Sequence, residues 1–312
     1  MILVTGATGF LGKRVCRLLD EKKVPYIPTS KTQGVDLRQK DNVMDLMSSV
    51  KPDYILNCAA YVGGIQFGQK YPVEIFQNNL EITINLLSAA NKFSVKRVVN
   101  PISNCAYPDT TNPFKEEDFW DGPLHDSVLV YGFVRKAFCV GSWAYAKQYG
   151  LDIINIVLSN MYGPEDHFDP ERSHALGALI KKFVDAKKTG APFVEVWGSG
   201  NPIREWLHID DGADAMFRSL SVKRNIDPIN IGTGKGFSIL ATAELIKNII
   251  GYDGEIKLDP TKIDGAKSKT VDGTKGLIQF GWGPERNFED GVRETIEWYE
   301  ANIKKINFNR IL

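Results

Sequence analysis

Cysteine is scarce in this sequence, neither sign of charge is in excess, and no long apolar run occurs. Each shortage removes a class of protein. The four cysteines, Cys16, Cys58, Cys105 and Cys139, are too few for a disulfide framework and lack the paired spacing of a metal site, so they read as reduced thiols. Cys16 and Cys58 fall in apolar periodic segments and read as core. Lys plus Arg and Asp plus Glu stand at 38 each. No overall field therefore gathers nucleic acid or an acidic membrane surface, and an anionic ligand must meet a local cluster. No stretch approaches the roughly 18 apolar residues of a membrane span. No basic segment precedes the first apolar run, which argues against a secretory signal and leads to the expectation of a cytoplasmic protein. What is present suits a globular chain: 43% hydrophobic and 24% charged residues in 312, enough for a large core or two lobes.

The opening stretch MILVTGATGFLG organises the rest. Met1 to Val4 is an apolar run, Thr5-Gly6 breaks it, and Phe10, Leu11, Val15, Leu18 and Leu19 recur with helical period. The reading is strand, tight turn, helix. Gly6 permits the sharp turn, Gly9 lets backbone approach a pyrophosphate, and Gly12 lets helix pack on strand. The helix start offers its N–H groups and dipole to a phosphate. Thr8, Phe10 and Leu11 belong to the same cofactor-facing turn. A second strand over about 24–30 ends in Thr29-Ser30-Lys31, where an NAD-binding fold carries an acid for the ribose 2′-hydroxyl. No acid stands there. A hydroxyl and a lysine suit a 2′-phosphate, so NADP(H) is favoured and NAD(H) is the alternative.

Asp36-Leu37 lead into a helix predicted over about 39–50, and Tyr54 to Cys58 reads as a buried strand ending in Ala59-Ala60. Such small residues leave room for a ligand above the sheet, or for tight helix packing. After Gly63-Gly64 come helices over about 72–93 and 131–149, with strands over 95–101 and 153–158. The alternation predicts an α/β fold: a Rossmann-type parallel sheet flanked by helices, with a smaller C-terminal α/β substrate lobe. The dinucleotide-binding domain is expected over 1–160, with segments near 205–235 returning to it. Residues 161–312 are expected to form mainly the substrate lobe, with helices near 174–189, 210–220, 238–250 and 288–305. Ser30, Lys31, Asp36, Leu37, Ala59, Ala60 and Asn160 join the glycine turn as the expected cofactor contacts.

The strand over 95–101 runs into Ile102-Ser103-Asn104-Cys105, and the next predicted helix opens with Tyr131-Gly132-Phe133-Val134-Arg135-Lys136. In an open parallel sheet, strand ends and helix starts converge above one edge, so Ser103 and Tyr131 can face one crevice. A serine hydroxyl, a phenol and a cation form a proton-transfer group: the cation favours phenolate, and the phenol exchanges a proton while nicotinamide exchanges hydride. Alone, a tyrosine near a helix start is more often partly exposed packing. Its order behind a dinucleotide turn favours the catalytic reading.

With these residues in view, the sequence resembles the extended short-chain dehydrogenase/reductase superfamily (NAD-dependent epimerase/dehydratase family). Within it, the sequence is most similar to the GDP-L-fucose synthase family of GDP-4-keto-6-deoxymannose epimerase/reductases. The resemblance rests on CAAYVGGI at 58–65, NPISNCAYP at 100–108, the Tyr131 segment, NMYGPEDHFDPERSHALGALIKKF at 160–183, VWGSGNPIREWLHIDD at 196–211 and INIGTGKGFSI at 229–239. It implies NADPH-dependent reduction of a 4-keto sugar nucleotide, with C3 and C5 epimerised first. By resemblance, Ser103 polarises the C4 carbonyl and Tyr131 protonates its oxygen, while Cys105 is the epimerisation base and His174 the partner acid. Both assignments suit the side chains' chemistry. The plainer alternatives are a small buried hydrophobe at Cys105 and a helix cap at His174. Lys182, Trp197, Arg204 and Lys269 fall where the family holds the GDP portion, and the helices over 72–93 and 131–149 where its members pair as homodimers.

Three positions depart from the family pattern: Arg135 replaces its lysine, Asn104 a serine, and Thr8 an arginine. A guanidinium can hold a ribose and supply charge but does not give up its proton. Lys136 lies about 100° further round a regular helix and substitutes only if the helix start is distorted. Two other functions stay open: a nucleotide-sugar C4 oxidoreductase or 4-epimerase without 3,5-epimerisation, on a GDP-heptose for example, and a catalytically weakened nucleotide-sugar binding protein.

Overall fold

The computed structural model describes residues 1–109 and 112–306. Its first half alternates β1 (Ile2–Thr5), α1 (Phe10–Glu21), β2 (Tyr26–Thr29), α2 (Lys40–Val50), β3 (Tyr54–Asn57), α3 (Ile65–Lys70), α4 (Pro72–Lys92), β4 (Arg97–Ser103), α5 (Leu129–Tyr149) and β5 (Ile153–Leu158). The second half contains β6 (Asn160–Tyr162), α6 (Ala175–Thr189), β7 (Phe193–Trp197), β8 (Ile203–His208), α7 (Ile209–Arg218) and β9 (Ile229–Ile231). It continues with β10 (Gly236–Ser238), α8 (Ile239–Ile250), β11 (Glu255–Asp259), β12 (Ser268–Lys269), α9 (Thr274–Phe280) and α10 (Phe288–Asn302).

Six strands form a parallel sheet in the order β2-β1-β3-β4-β5-β9. The order reverses between β1 and β3, which opens a crevice beyond their carboxyl ends. Apart from the edge strand β2, both faces are buried, and successive residues serve opposite cores. Leu3, Val98 and Val157 join one cluster with α2, α4 and α5, while Val4, Val99 and Ile156 join the other with α1 and α7. Each fully buried aliphatic side chain contributes roughly 1.5–3 kcal/mol before chain entropy is counted, so these two faces hold the sheet. A third cluster, with Ile180, Phe183, Ile246 and Ile296, packs α6, α8 and α10. Beside it, β8 pairs with β6, β10 and β12, and β7 with β11.

A buried polar ladder crosses four strands of the main sheet. Thr5 Oγ1 donates to Asn57 Oδ1 at 2.7 Å, Asn57 Nδ2 to Asn100 Oδ1 at 2.8 Å, and Asn100 Nδ2 to Asn155 Oδ1 at 3.3 Å. A register slip would leave these groups unpaired in the core, so the ladder favours one alignment of β1, β3, β4 and β5.

The structure shifts some expected boundaries for local reasons. Val95 belongs to the turn that closes α4, where its N–H bonds the Ala90 carbonyl after Ser94 at φ +54°. The strand β4 therefore starts later and runs to Ser103. At α5 the first turn begins at Leu129, two residues before Tyr131. The six residues of α3 are too short to show a periodic signal in sequence.

Candidate active site

A cleft of about 1770 Å³ runs along the carboxyl edge of the parallel sheet. At one end lies the turn from β1 to α1. Gly6 has φ +62°, and a Cβ on it would lie 2.6 Å from the Cys58 carbonyl. A Cβ on Gly12, behind the turn, would lie 2.1 Å from the Gly6 carbonyl oxygen. Gly9 precedes α1 without a capping side chain, and the first turn of α1 carries no acid. The turn has the space and the donors a dinucleotide's pyrophosphate needs, so the residues present fit that group.

Expected cofactor contacts gather around this turn. Thr8, Phe10, Leu11, Ser30, Lys31, Asp36, Leu37, Ala59, Ala60 and Asn160 all line the cleft. Thr8 Oγ1 meets Thr32 Oγ1 at 2.9 Å, and Thr32 Oγ1 meets Ser30 Oγ at 3.1 Å, a row of hydroxyls beside Lys31. Arg38 Nε donates to Asp36 Oδ1 at 2.8 Å and holds that carboxyl below its usual range. Asn160 Nδ2 donates to the Glu205 carbonyl at 3.0 Å.

Further along, Gly132 lets α5 approach the turn after β4, because a Cβ there would sit 2.3 Å from the Cys105 carbonyl oxygen. Ser103 caps that turn by accepting the Cys105 N–H at 3.2 Å. Tyr131, next to Gly132, is thereby carried into the same cleft as Ser103 and Cys105. Arg135 Nε donates to Tyr131 Oη at 3.1 Å, from a side chain 6% exposed. Lys136 does not take over the role of the missing lysine. Its Nζ donates to the Phe119 carbonyl at 2.6 Å and lies over the Phe119 and Trp120 rings, on another side of a regular helix.

Cys105 and His174 both face this end of the cleft. Burial raises the Cys105 thiol, but the charge of Lys269, the bonds to Ser103 and Lys269, and the charge of Arg204 together outweigh it and hold the thiol below its ordinary range. His174 stands at the start of α6 without capping it. Its ring opens onto the cleft yet is closely surrounded by protein; desolvation, helped by His167, Lys269 and Arg172, pulls it to about 4. The imidazole is therefore neutral near pH 7.

Two of the four residues expected at the GDP portion meet there. Trp197 stands 40% exposed at the cleft wall, with Lys182 Nζ 4.5 Å and Lys262 Nζ 5.6 Å from its ring centroid. Lys182 also donates to the Glu195 carbonyl at 2.8 Å. Arg204 and Lys269 lie deeper: Arg204 Nη1 donates to the Ala266 carbonyl at 2.8 Å, and Lys269 Nζ reaches Cys105 Sγ at 3.2 Å. Both line the same cleft as Trp197 and Lys182.

Several cleft residues were not singled out from sequence. Asp166, His167 and Arg172 line it from the loop before α6, where GPEDHFDPERSH concentrates titratable groups, and that density was the available signal. Burial pushes the Asp166 carboxyl up to about 7. Gly64 meets this loop through its N–H, which donates to the Arg172 carbonyl at 3.1 Å. Arg38 and Thr32 were overlooked beside residues that were chosen.

The parallel sheet and the glycine turn at its switch point define a dinucleotide-binding protein of the Rossmann class. More narrowly, residues 2–232 match the NAD dependent epimerase/dehydratase family, and the chain belongs to it. It is an enzyme of the short-chain dehydrogenase/reductase type. GDP-L-fucose synthase 1 of Arabidopsis thaliana is 36% identical over 303 residues, covering 97% of this chain and 94% of the relative. A GDP-6-OMe-4-keto-L-xylo-heptose reductase from C. jejuni has a similar structure, with a TM-score of 0.90 at 26% identity, over 96% of this chain and 97% of that one. A GDP-L-fucose synthetase from Naegleria fowleri bound to NADP gives 0.88 at 26%, over 97% and 94%.

Proposed function

We propose that the chain is an NADP(H)-dependent epimerase/reductase of a GDP-4-keto-6-deoxy sugar. One observation carries the reading: Cys105, in contact with Lys269, lies on the turn capped by Ser103, against which Gly132 seats the helix of Tyr131. The turn of Gly6, Gly9 and Gly12 would hold the dinucleotide, which would supply the hydride. The Ser103 hydroxyl then holds the C4 oxygen, and Tyr131 gives that oxygen its proton. Arg135 supports charge on the phenol but cannot refill its proton, so Tyr131 is reprotonated by another route. Cys105 takes the proton beside the ketone, and His174 returns one from the opposite face. Trp197 with Lys182 and Lys262 offers an aromatic and cationic surface to the nucleotide. The relatives named above as GDP-sugar enzymes and the NADP-bound neighbour support both substrate class and cofactor. In this reading, residues 1–160 with the returning segments near 205–235, α7 and β9 among them, form the cofactor domain and the rest mainly the substrate lobe.

The test is incubation with GDP-4-keto-6-deoxymannose and NADPH in deuterated water, followed by NMR. NADPH loss with deuterium at C3 and C5 is the expected result; no NADPH loss with this substrate would refute the reading. A second reading is a C4 reductase without epimerisation, in line with the similar structure named as a GDP-heptose reductase. NADPH loss without label would select it.

We further propose a homodimer in the cytoplasm. Val73, Phe76 and Ile84 on α4 and Phe133, Val140 and Trp143 on α5 are exposed apolar side chains on two helices that pack together, and the Phe76 and Phe133 rings stack at 6.2 Å. A second copy would cover them. Sedimentation should give twice the chain mass, and Trp143→Glu should give the monomer. Four free cysteines and a reduced cofactor suit a reducing compartment.

A further inference from the structure

Lys269 lies on β12, in register with Arg204 of β8. It is 7% exposed, and its Nζ meets the sulfur of a cysteine 164 residues away. A buried ammonium is costly without a partner. Among the described residues Lys269 makes no ion pair with a carboxylate, and its hydrogen-bond partner is Cys105 Sγ at 3.2 Å. Direct contact is what separates this thiol from another in the same protein. Cys139 has Arg135 and Lys136 nearby, yet burial still pushes it up to about 12. At Cys105 the facing groups are Lys269 from β12, Arg204 from β8 and Ser103 from the end of β4. His174, at the start of α6, feels the same Lys269 charge.

We infer that Lys269 is a positioning residue that keeps Cys105 as a thiolate in the resting cleft, pairing its ammonium with the sulfur. The inference rests on the epimerase reading for its use in turnover. In that step the C–H bond beside the ketone breaks and an S–H bond forms on Cys105. The electron pair passes to the C4 oxygen as an enolate. Lys269 keeps its protons throughout and acts only by stabilising the thiolate that starts the step.

The test is iodoacetamide labelling of the full chain, with and without NADPH, from about pH 5 to about pH 10, resolving Cys105 from the other three cysteines by peptide mass spectrometry. In the unmodified protein the Cys105 midpoint should lie below the ordinary thiol value of about 8.5. Lys269→Met should raise it by more than about one unit and slow labelling near neutral pH, while Lys269→Arg should keep it low. Lys269→Gln replaces Lys269→Met if the latter fails to bind NADPH. Equal midpoints in the unmodified protein and in a charge-removing variant that binds NADPH would overturn the inference. With substrate, deuterium entry at C3 and C5 should slow about tenfold or more at unchanged KM, in step with the lost thiolate. A raised KM at unchanged kcat would instead put Lys269 on the diphosphate and overturn it. A low midpoint with no deuterium entry in the unmodified protein would sink the epimerase reading and leave the ion pair standing.

Discussion

At the glycine turn the shape of the cleft comes from backbone: Gly6 at φ +62°, and Gly12 so close that a Cβ would lie 2.1 Å from the Gly6 oxygen. At the thiol end it comes from side chains on separate elements, with Ser103 from β4, Tyr131 and Arg135 from α5, His174 before α6, and Lys269 from β12. The first end is steric, and it tolerates no added atom. The second, apart from the close seat of Gly132 on the Cys105 carbonyl, is electrostatic, and its side chains tolerate changes of shape better than changes of charge or proton. A phosphate is bound by space and donors, whereas proton transfer needs groups whose charge states are set by their neighbours.

The largest effect expected from this contrast is at the steric end. Gly12→Val should abolish NADPH binding and destabilise the fold by about 3 kcal/mol or more, read by fluorescence titration and thermal melting. Normal binding in that variant would break the contrast. Next, Tyr131→Phe should lower ketoreduction by about 10²–10⁴-fold while NADPH affinity stays put; melting temperature should fall by only about a few degrees, because the buried Arg135 Nε–H loses its acceptor. Arg135→Lys is a smaller change. It should keep turnover within about tenfold, because either cation can reach the phenol. Inactivity of both the unmodified protein and this variant towards GDP-4-keto sugars, with tight NADPH binding, would point to a binding protein.

The smallest effect concerns pH and separates the ends most directly. His174 is pulled from 6.5 to about 4, so between those values the unfolded chain binds more protons than the folded one. The stability His174 contributes is present above 6.5 and is lost as pH falls towards about 4. Melting temperature should therefore drop less steeply over this window in His174→Asn than in the unmodified protein, by a degree or two because the ring is open to the cleft. Identical slopes would show that the thiol end carries no such charge linkage.

Much of the first end was legible from residues 1–12. Gly6, Gly9 and Gly12 sit within one strand–turn–helix unit, and hydrophobic period distinguishes that unit's strand from its helix. At the other end, Ser103, Cys105, Tyr131 and His174 were legible as residue types at strand ends and helix starts, with the resemblance supplying their roles. The contact of Lys269 with Cys105 was not legible, because nothing near Lys269 in sequence indicates a thiol. Lys136 could be set aside only once α5 was seen to begin at Leu129 and to run regularly through Tyr131. The ladder of Thr5, Asn57, Asn100 and Asn155 was invisible for a similar reason: one polar residue per strand looks like an interruption until the strands are laid side by side.

The sequence by itself therefore determined the α/β alternation, the phosphate turn and the set of reactive side chains, because each depends on residues a few positions apart and on backbone sterics. Tertiary structure alone decided which cation touches which acid. Pairing β12 beside β8 brings Lys269 to Cys105 across 164 residues, and the Gly132 contact brings Tyr131 to the Ser103 turn. Such contacts depend on how every intervening element packs, and local propensity does not specify that.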